Sequence, residues 1–360
     1  MLTATSDASA YGPLRIALVA PPWLPVPPPA YGGTEAAIDL LARGLVAAGH
    51  EVLLCATADS TCPVPTADGA ATSRGLRAPG THAELAHAAW AWERAMDWGA
   101  DVVHDHTVLG PALGRGLGPV VVATNHNPFT PANRAWYGRL GGEVSVVALS
   151  EHHASTAAQV PIAAVIHHGV ALDVFHPGPG DGGYAAFVGR MSPDKGVDRA
   201  IRVAREADLP LRIAAKIADA DEHAYFSEVI APLLGGSVDY VGELALADKV
   251  DLLQHATCLI NPLRWDEPFG MVMAEALACG TPVVATPTGS VPELVQHGTT
   301  GWIATSTADL VTSVTRAPML SRAACRAVAS ERFSPERVTA SHVELYAQLA
   351  GRSGASKNVA

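Results

Sequence analysis

Two carboxylates stand where carboxylates are costly. The stretch WDEPFGMVMAEALACGTPVVAT (265–286) places Glu267 in a Pro-Phe-Gly turn and Glu275 in an apolar run that reads as a core helix. An ionised side chain buried without a partner is strongly unfavourable, so these two either stay solvated or serve a ligand. Were 267–275 one helix, eight steps of about 100° would leave them roughly 80° apart. Pro268 argues against that, because it drives the residue before it out of helical geometry. Glu267 is therefore expected in a loop, with the helix starting near Phe269–Gly270. Gly270 permits close approach of backbone to a ligand, and the first free N–H groups point outward. Both glutamates can then face one ligand.

Other residues suit an anion. GRMSPDKG (189–196) sets Arg190 at a strand end and Lys195 near the next helix. A planar fork and a mobile point charge fit a diphosphate, although a solvated loop would read the same. Gly32 and Gly33 open the helical pattern 32–50 after the loop PPWLPVPPPA. Glycines at a helix mouth let bare amides approach an anion. His126 lies just past the strand VVVAT (120–124), and His104, Asp105 and His106 cluster in DVVHDH (101–106). Alternation sends His104 and Asp105 to opposite faces, which speaks against a metal. His104 is expected in the sheet packing, and the pairs His152–His153 and His167–His168 at the surface or in loops. No G-x-G-x-x-G follows the first strand, which weakens a nicotinamide-enzyme reading.

The elements that must hold these residues alternate. Strand-like runs at 14–20, 51–57, 101–106, 120–124 and 144–150 are separated by helical patterns, including AELAHAAWAWERAMDW (83–98). The alternation pauses at ALDVFHPGPGDGG (171–183) and restarts with strands at 184–189, 211–217, 238–242, 257–263 and 281–286. Strands alternating with helices imply parallel sheets, and 360 residues suit two cores rather than one. The expected division is a flexible tail (1–13), a Rossmann-like domain (14–172), a linker (173–183), a second Rossmann-like domain (184–333), a terminal helix (334–350) packing back towards the first domain, and a second tail (351–360). Ligands of open α/β sheets bind at the carboxyl ends of the strands, so a cleft between the domains is the expected site.

The net charge of −11 argues against nucleic acid or an anionic bilayer as partner. Five irregularly spaced cysteines point to reduced thiols. No leader is visible, and no apolar run is long enough to span a membrane. A cytoplasmic protein is expected. The 83–98 helix carries Trp90, Trp92 and Trp98, which would suit a membrane interface, but Glu84, Glu93 and Asp97 against Arg94 leave it net acidic. Core packing is the expected use.

The segment EPFGMVMAEALACGTPVVAT resembles the E-x7-E signature of the family 4 retaining glycosyltransferases, whose GT-B architecture has two Rossmann-like domains with parallel sheets facing an interdomain cleft. The resemblance runs from the first strand to the terminal helix and is weakest at 56–100. It implies that Glu267 contacts the donor sugar and Glu275 the ribose, with Phe269, Gly270, Met271 and Val272 between them. Arg190 and Lys195 would grip the diphosphate, with Gly32 and Gly33 facing it across the cleft. His126 would reach the sugar, and Asp105 and His106 would line the acceptor side. His168 stands where many relatives carry Asn, and Lys216 where many have a glycine-rich end; Lys216 either adds a cation near the phosphates or is solvated. The implied activity is metal-independent, cofactor-free retaining transfer of a hexose-type sugar from a nucleotide-diphosphate donor, with UDP the commonest base, to a small polar acceptor. A sugar-nucleotide hydrolase or epimerase would use the same donor contacts, and lipid or polysaccharide acceptors are the other alternative.

Overall fold

The computed structural model describes residues 12–75 and 81–357. The first sheet holds β1 (Arg15–Val19), β2 (Glu51–Cys55), β3 (Val102–Asp105), β4 (Val120–Thr124), β5 (Val144–Ala148) and β6 (Ile162–Val165), in the order β2-β1-β3-β4-β5-β6. The second holds β7 (Ala185–Arg190), β8 (Leu211–Lys216), β9 (Val238–Gly242), β10 (Cys258–Asn261), β11 (Val283–Ala285) and β12 (Gly301–Ile303), in the order β12-β11-β10-β7-β8-β9. The strands pair in parallel throughout, as β1 with β3 and β7 with β10 do. The protein is an α/β molecule with two doubly wound sheets. In each, the strand order reverses beside the first strand, between β1 and β3 and between β7 and β10, where such sheets open a crevice.

Apolar alternation explains why both faces of each sheet are buried. Ile16 and Leu18 enter one core while Ala17 and Val19 enter the core on the opposite face. Phe187 and Ile213 face one side of the second sheet, and Ala186 and Ala214 the other. Near-continuous apolar strands are what a parallel sheet covered by helices requires. The strands at β6 and β12 were not expected from the sequence. Both are edge strands, four and three residues long.

Two helices pack on the first sheet in ways that bear on the site. Helix α1 (Gly33–Ala47) follows β1, and α2 (Thr81–Trp98) carries the three tryptophans. Trp92 is 3% exposed inside the core, with Trp90 and Trp98 packed against it. Its indole N–H donates to Asp105 Oδ2 at 2.9 Å. The tryptophans therefore serve the interior. No helix of the described residues is long and apolar enough to cross a membrane.

The C-terminal helix spans Pro335–Lys357 and sends Val338, Val343, Leu345 and Tyr346 into the core it shares with α1. A Cβ on Gly44 of α1 would lie 2.1 Å from Thr339 Oγ1, so that glycine allows the two helices to cross closely. The helix continues seven residues beyond the expected end at 350. Extending a helix already anchored by packing costs little per residue.

The Gly/Pro-rich segment 171–183 has no helix or strand, yet it is fastened to the second domain. Gly178, Gly180 and Gly182 donate to Cys279, Gln254 and His255 carbonyls at 3.1, 2.9 and 2.9 Å. Arg322 gathers the carbonyls of Gly178, Gln254, Ala256 and Cys279 and the Thr281 hydroxyl within 3.0 Å. Arg322→Ala removes the donor that these carbonyls share, leaving the Gln254 and Cys279 carbonyls their backbone bonds alone. It should cost about 2 kcal/mol of stability, read as a lower urea midpoint at unchanged slope. A midpoint equal to wild type would show the segment is held by its backbone bonds alone.

Candidate active site

A cleft of about 860 Å³ lies between the domains and is lined by both. The helix Met271–Ala278 opens onto it. Its N-cap, Gly270, sits at φ 82° with no side chain capping the helix, so the first N–H groups stay open. A Cβ there would meet Met273 Cε at 2.4 Å. Across the cleft, Gly32 caps α1, also without a capping side chain. A Cβ on Gly33 would stand 3.3 Å from Met271 Cγ, and one on Gly32 would strike Pro28 at 2.6 Å. The two glycine-opened helix mouths thus face each other. Together they concentrate N–H groups and positive helix-end potential at one place.

Glu267 precedes this helix in a loop, as Pro268 dictates. Its Oε2 accepts from Lys195 Nζ and from Trp265 Nε1 at 3.2 Å. The Lys195 ammonium also lies 4.5 Å from the centre of the Trp265 ring. Glu275, one turn into the helix, is 6% exposed and pairs with Lys249 Nζ at 2.7 Å. Each glutamate is therefore held by one lysine, with a second carboxylate oxygen left for a ligand. Met271 and Val272 line the cleft between them, whereas the Phe269 ring, also on the cleft wall, is 2% exposed and packs in a T-shape against Phe333. Arg190, at the end of β7, is shared between Asp194 at 2.9 Å and Glu222 at 3.6 Å.

On the first-domain side His126 and His106 both line the cleft and join through His106 Nδ1 and His126 Nε2 at 3.0 Å. The His126 ring stacks on His168, with centroids 5.2 Å apart and planes 15° from parallel. Burial, followed by repulsion from neighbouring imidazoles, holds His106, His126 and His168 well below the usual histidine range. A neutral imidazole here suits a hydroxyl better than an anion. His104 lies in the packing, between Tyr346 Oη at 2.6 Å and Thr124 Oγ1 at 2.7 Å.

Asp105 does not reach the cleft. It is fully buried, and its oxygens accept from Trp92, from Thr107 N at 2.8 Å and from Thr107 Oγ1 at 2.7 Å. Burial pushes its carboxyl up to about 6. It shapes the loop after β3 and cannot line an acceptor, because α2 covers the face it points to. His153 departs from the surface or loop placement expected of it: it lies in the short helix Glu151–Ser155, is 2% exposed, and its Nε2 lies 2.9 Å from the Asn127 carbonyl. His168 is in a loop as expected, half-buried after β6, where it stacks on His126 in the cleft wall. Among the described residues no group of three or more His, Cys, Asp or Glu is arranged to hold a metal ion.

Several lining residues carry no local sequence signal. Lys249 is 26 residues from Glu275 and on another helix. Trp265, by contrast, sits two residues before Glu267 and could have been read as its neighbour. Glu35, in the first turn of α1, is 4% exposed on the cleft wall, and burial pushes its carboxyl from an ordinary 4.5 up to about 7. The native state therefore binds more protons than the unfolded chain between these values, and stability falls as pH rises through that window. Glu35→Gln should melt on the order of 5 °C above wild type at pH 8 and level with it at pH 4. Equal melting curves at pH 8 would contradict the burial cost.

Residues 31–174 match the family model "Glycosyltransferase Family 4", and residues 173–319 match "Glycosyl transferases group 1". The two models meet at the interdomain segment and together cover residues 31–319, which hold every strand of both sheets except β1. The chain belongs to the family 4 glycosyltransferases. Curated relatives named D-inositol 3-phosphate glycosyltransferase include one from Mycobacterium avium, 33% identical over 200 residues, or 49% of this chain and 45% of that protein. One from Mycobacterium tuberculosis is 31% identical over 223 residues, or 54% of this chain and 45% of that protein. The matched region thus spans under half the length of these relatives. Among solved structures, AviGT4, a glycosyltransferase involved in avilamycin A biosynthesis, covers 94% of this chain and 98% of its own at 25% identity and TM-score 0.73. Anabaena HepE, solved with UDP and glucose, has the same fold at 20% identity and TM-score 0.74 over 93% of this chain and 100% of its own. The protein has the GT-B fold of these glycosyltransferases.

Proposed function

We propose that this family 4 glycosyltransferase moves a hexose-type sugar from a nucleoside diphosphate, UDP foremost, to a small polar acceptor, with retention at the anomeric carbon and without a metal. The observation that carries the reading is the pairing of Glu267 with Lys195 and of Glu275 with Lys249 around one open helix mouth, opposite a second one. Glu275 takes the ribose hydroxyls and Glu267 the sugar hydroxyls. Arg190, Lys195 and the amides at Gly32, Gly33, Gly270 and Met271 take the diphosphate, and neutral His126 donates to or accepts from a sugar hydroxyl. His106 orients His126.

The bond from the anomeric carbon to the diphosphate oxygen breaks, and the developing charge on that oxygen is met by fixed cations and N–H groups. The acceptor oxygen then bonds to the same face of the anomeric carbon, and its proton passes to the departing phosphate oxygen. No protein nucleophile is needed. The curated relatives are named for D-inositol 3-phosphate, and HepE was solved with UDP and glucose. The first supports a small polar acceptor and the second a uridine donor. The test is NMR analysis of products from UDP-hexoses with and without polyol or sugar acceptors. Turnover that needs an acceptor, survives EDTA and keeps the donor's anomeric configuration is expected. Equal turnover without an acceptor would replace transfer by hydrolysis, and an inverted product would remove the same-face step.

A further inference from the structure

Five lysine or arginine side chains line the cleft, and four of them are matched by a carboxylate. Arg43 pairs with Asp39 at 2.9 Å, Arg190 with Asp194 at 2.9 Å, Lys195 with Glu267, and Lys249 with Glu275 at 2.7 Å. The fifth is Lys216, the last residue of β8. Its side chain is 8% exposed, and among the described residues no carboxylate or carbonyl accepts from its ammonium. The ammonium instead lies 4.7 Å from the centre of the Tyr31 ring.

The nearby acids are committed elsewhere. Glu222 accepts from Ala218 N at 2.6 Å and pairs with Arg190, and Glu243 accepts from Tyr31 N at 3.3 Å. Glu35 stands on the opposite wall beyond ion-pair reach. Lys216 is directly opposite Arg190 in the sheet register, so two cations emerge side by side at the carboxyl ends of β7 and β8. Tyr31, under the ammonium, immediately precedes the Gly32–Gly33 mouth of α1. An ammonium with no protein acceptor, on a residue this buried, is poorly compensated, and a like charge beside it adds to that cost. An anion with several oxygens removes both terms at once, and a diphosphate can span adjacent strand ends and the amide mouth together.

We propose that Lys216 is a further diphosphate-binding residue of the donor site, the cation left unmatched by the protein because the ligand supplies its counter-charge. The assignment rests on the donor reading above and extends it to a position outside the E-x7-E segment and outside the Arg190–Lys195 loop. Because Arg190 and Lys195 must partly release a carboxylate to engage a phosphate, Lys216 offers the larger share of uncompensated charge. It therefore governs affinity for the phosphates rather than for the nucleoside.

Calorimetry with inorganic pyrophosphate, with UDP, GDP, ADP and TDP, and with the matching nucleosides separates these contributions in wild type, Lys216→Met and Lys216→Arg. Methionine keeps the length and the burial and removes the charge. Lys216→Met should weaken pyrophosphate and the preferred nucleoside diphosphate tenfold or more and leave the nucleoside within twofold. Lys216→Arg should recover most of the loss. The methionine variant should melt at or above the wild-type temperature, since an unmatched buried charge has gone, and this guards against misfolding. Undiminished diphosphate binding in Lys216→Met, or an equal loss for the nucleoside, would overturn the assignment. If wild type bound none of the four nucleotides yet held pyrophosphate through Lys216, the donor reading would fall and the anion site would stand. Binding of neither would overturn both.

Discussion

Lys195→Ala should lower kcat/KM for the sugar nucleotide by a hundredfold to a thousandfold, roughly 3 to 4 kcal/mol of transition-state stabilisation. Two losses combine in that variant. The cation that meets charge on the leaving diphosphate disappears, and Glu267 loses the ammonium that orients it. The pair is 14% and 12% exposed at its side chains. Removing one partner of a poorly hydrated pair leaves the other charge stranded. Glu267→Ala should therefore be far from additive with Lys195→Ala, because the two residues act as a unit. Arg190→Ala should cost less, at least tenfold or about 1.4 kcal/mol, since its guanidinium already divides its charge between Asp194 and Glu222. Steady-state kinetics on variants with wild-type melting profiles decide the matter. A Lys195→Ala enzyme within threefold of wild type would remove Lys195 from the phosphate grip.

Glu275→Ala should weaken the free nucleotide by about a hundredfold, because a carboxylate bridging two ribose hydroxyls makes two charge-assisted hydrogen bonds of about 1.5 kcal/mol each. The loss should be the same for nucleotide and sugar nucleotide, since both carry the ribose. Glu267→Ala should leave the free nucleotide within threefold and erase the preference for the sugar-bearing form. The geometry separates the two roles: Glu275 lies inside the helix against Lys249, while Glu267 lies outside its mouth against Lys195 and Trp265. Calorimetry on both variants with nucleotide and sugar nucleotide tests this. Equal losses for the free nucleotide would show that the carboxylates share one job.

What the sequence made legible follows the range of the physics involved. Strand-helix alternation is local, so the two sheets and the break at 171–183 could be read directly. The edge strands β6 and β12 could not, because IAAV is small and half-exposed and GWI is only three residues long. The start of the 271–278 helix was legible because Pro268 and Gly270 act on their own backbone. The partners of its glutamates were not legible in the same way. Lys195 is 72 residues from Glu267 and Lys249 is 26 from Glu275, and only the sheet order brings them together.

Asp105 shows the opposite failure. A carboxylate at a strand end has the composition of a site residue, but α2 lies over the face it points to, and the Trp92 indole takes the oxygen a ligand would need. His106, one residue on, turns to the cleft instead. Strand alternation assigns faces, but it does not say which face a helix covers.

The most direct test of the central claim is a thermal-shift comparison of UDP, GDP, ADP, TDP and NADH on the intact protein and on Glu275→Ala. A ligand that binds only the folded state stabilises it by mass action, about 2.7 kcal/mol at a hundred times its dissociation constant. One nucleoside diphosphate, UDP by the present account, should raise the melting temperature well beyond the others, and Glu275→Ala should lose that rise. A shift with NADH and none with any of the four nucleoside diphosphates, or a UDP shift that survives Glu275→Ala undiminished, would contradict it.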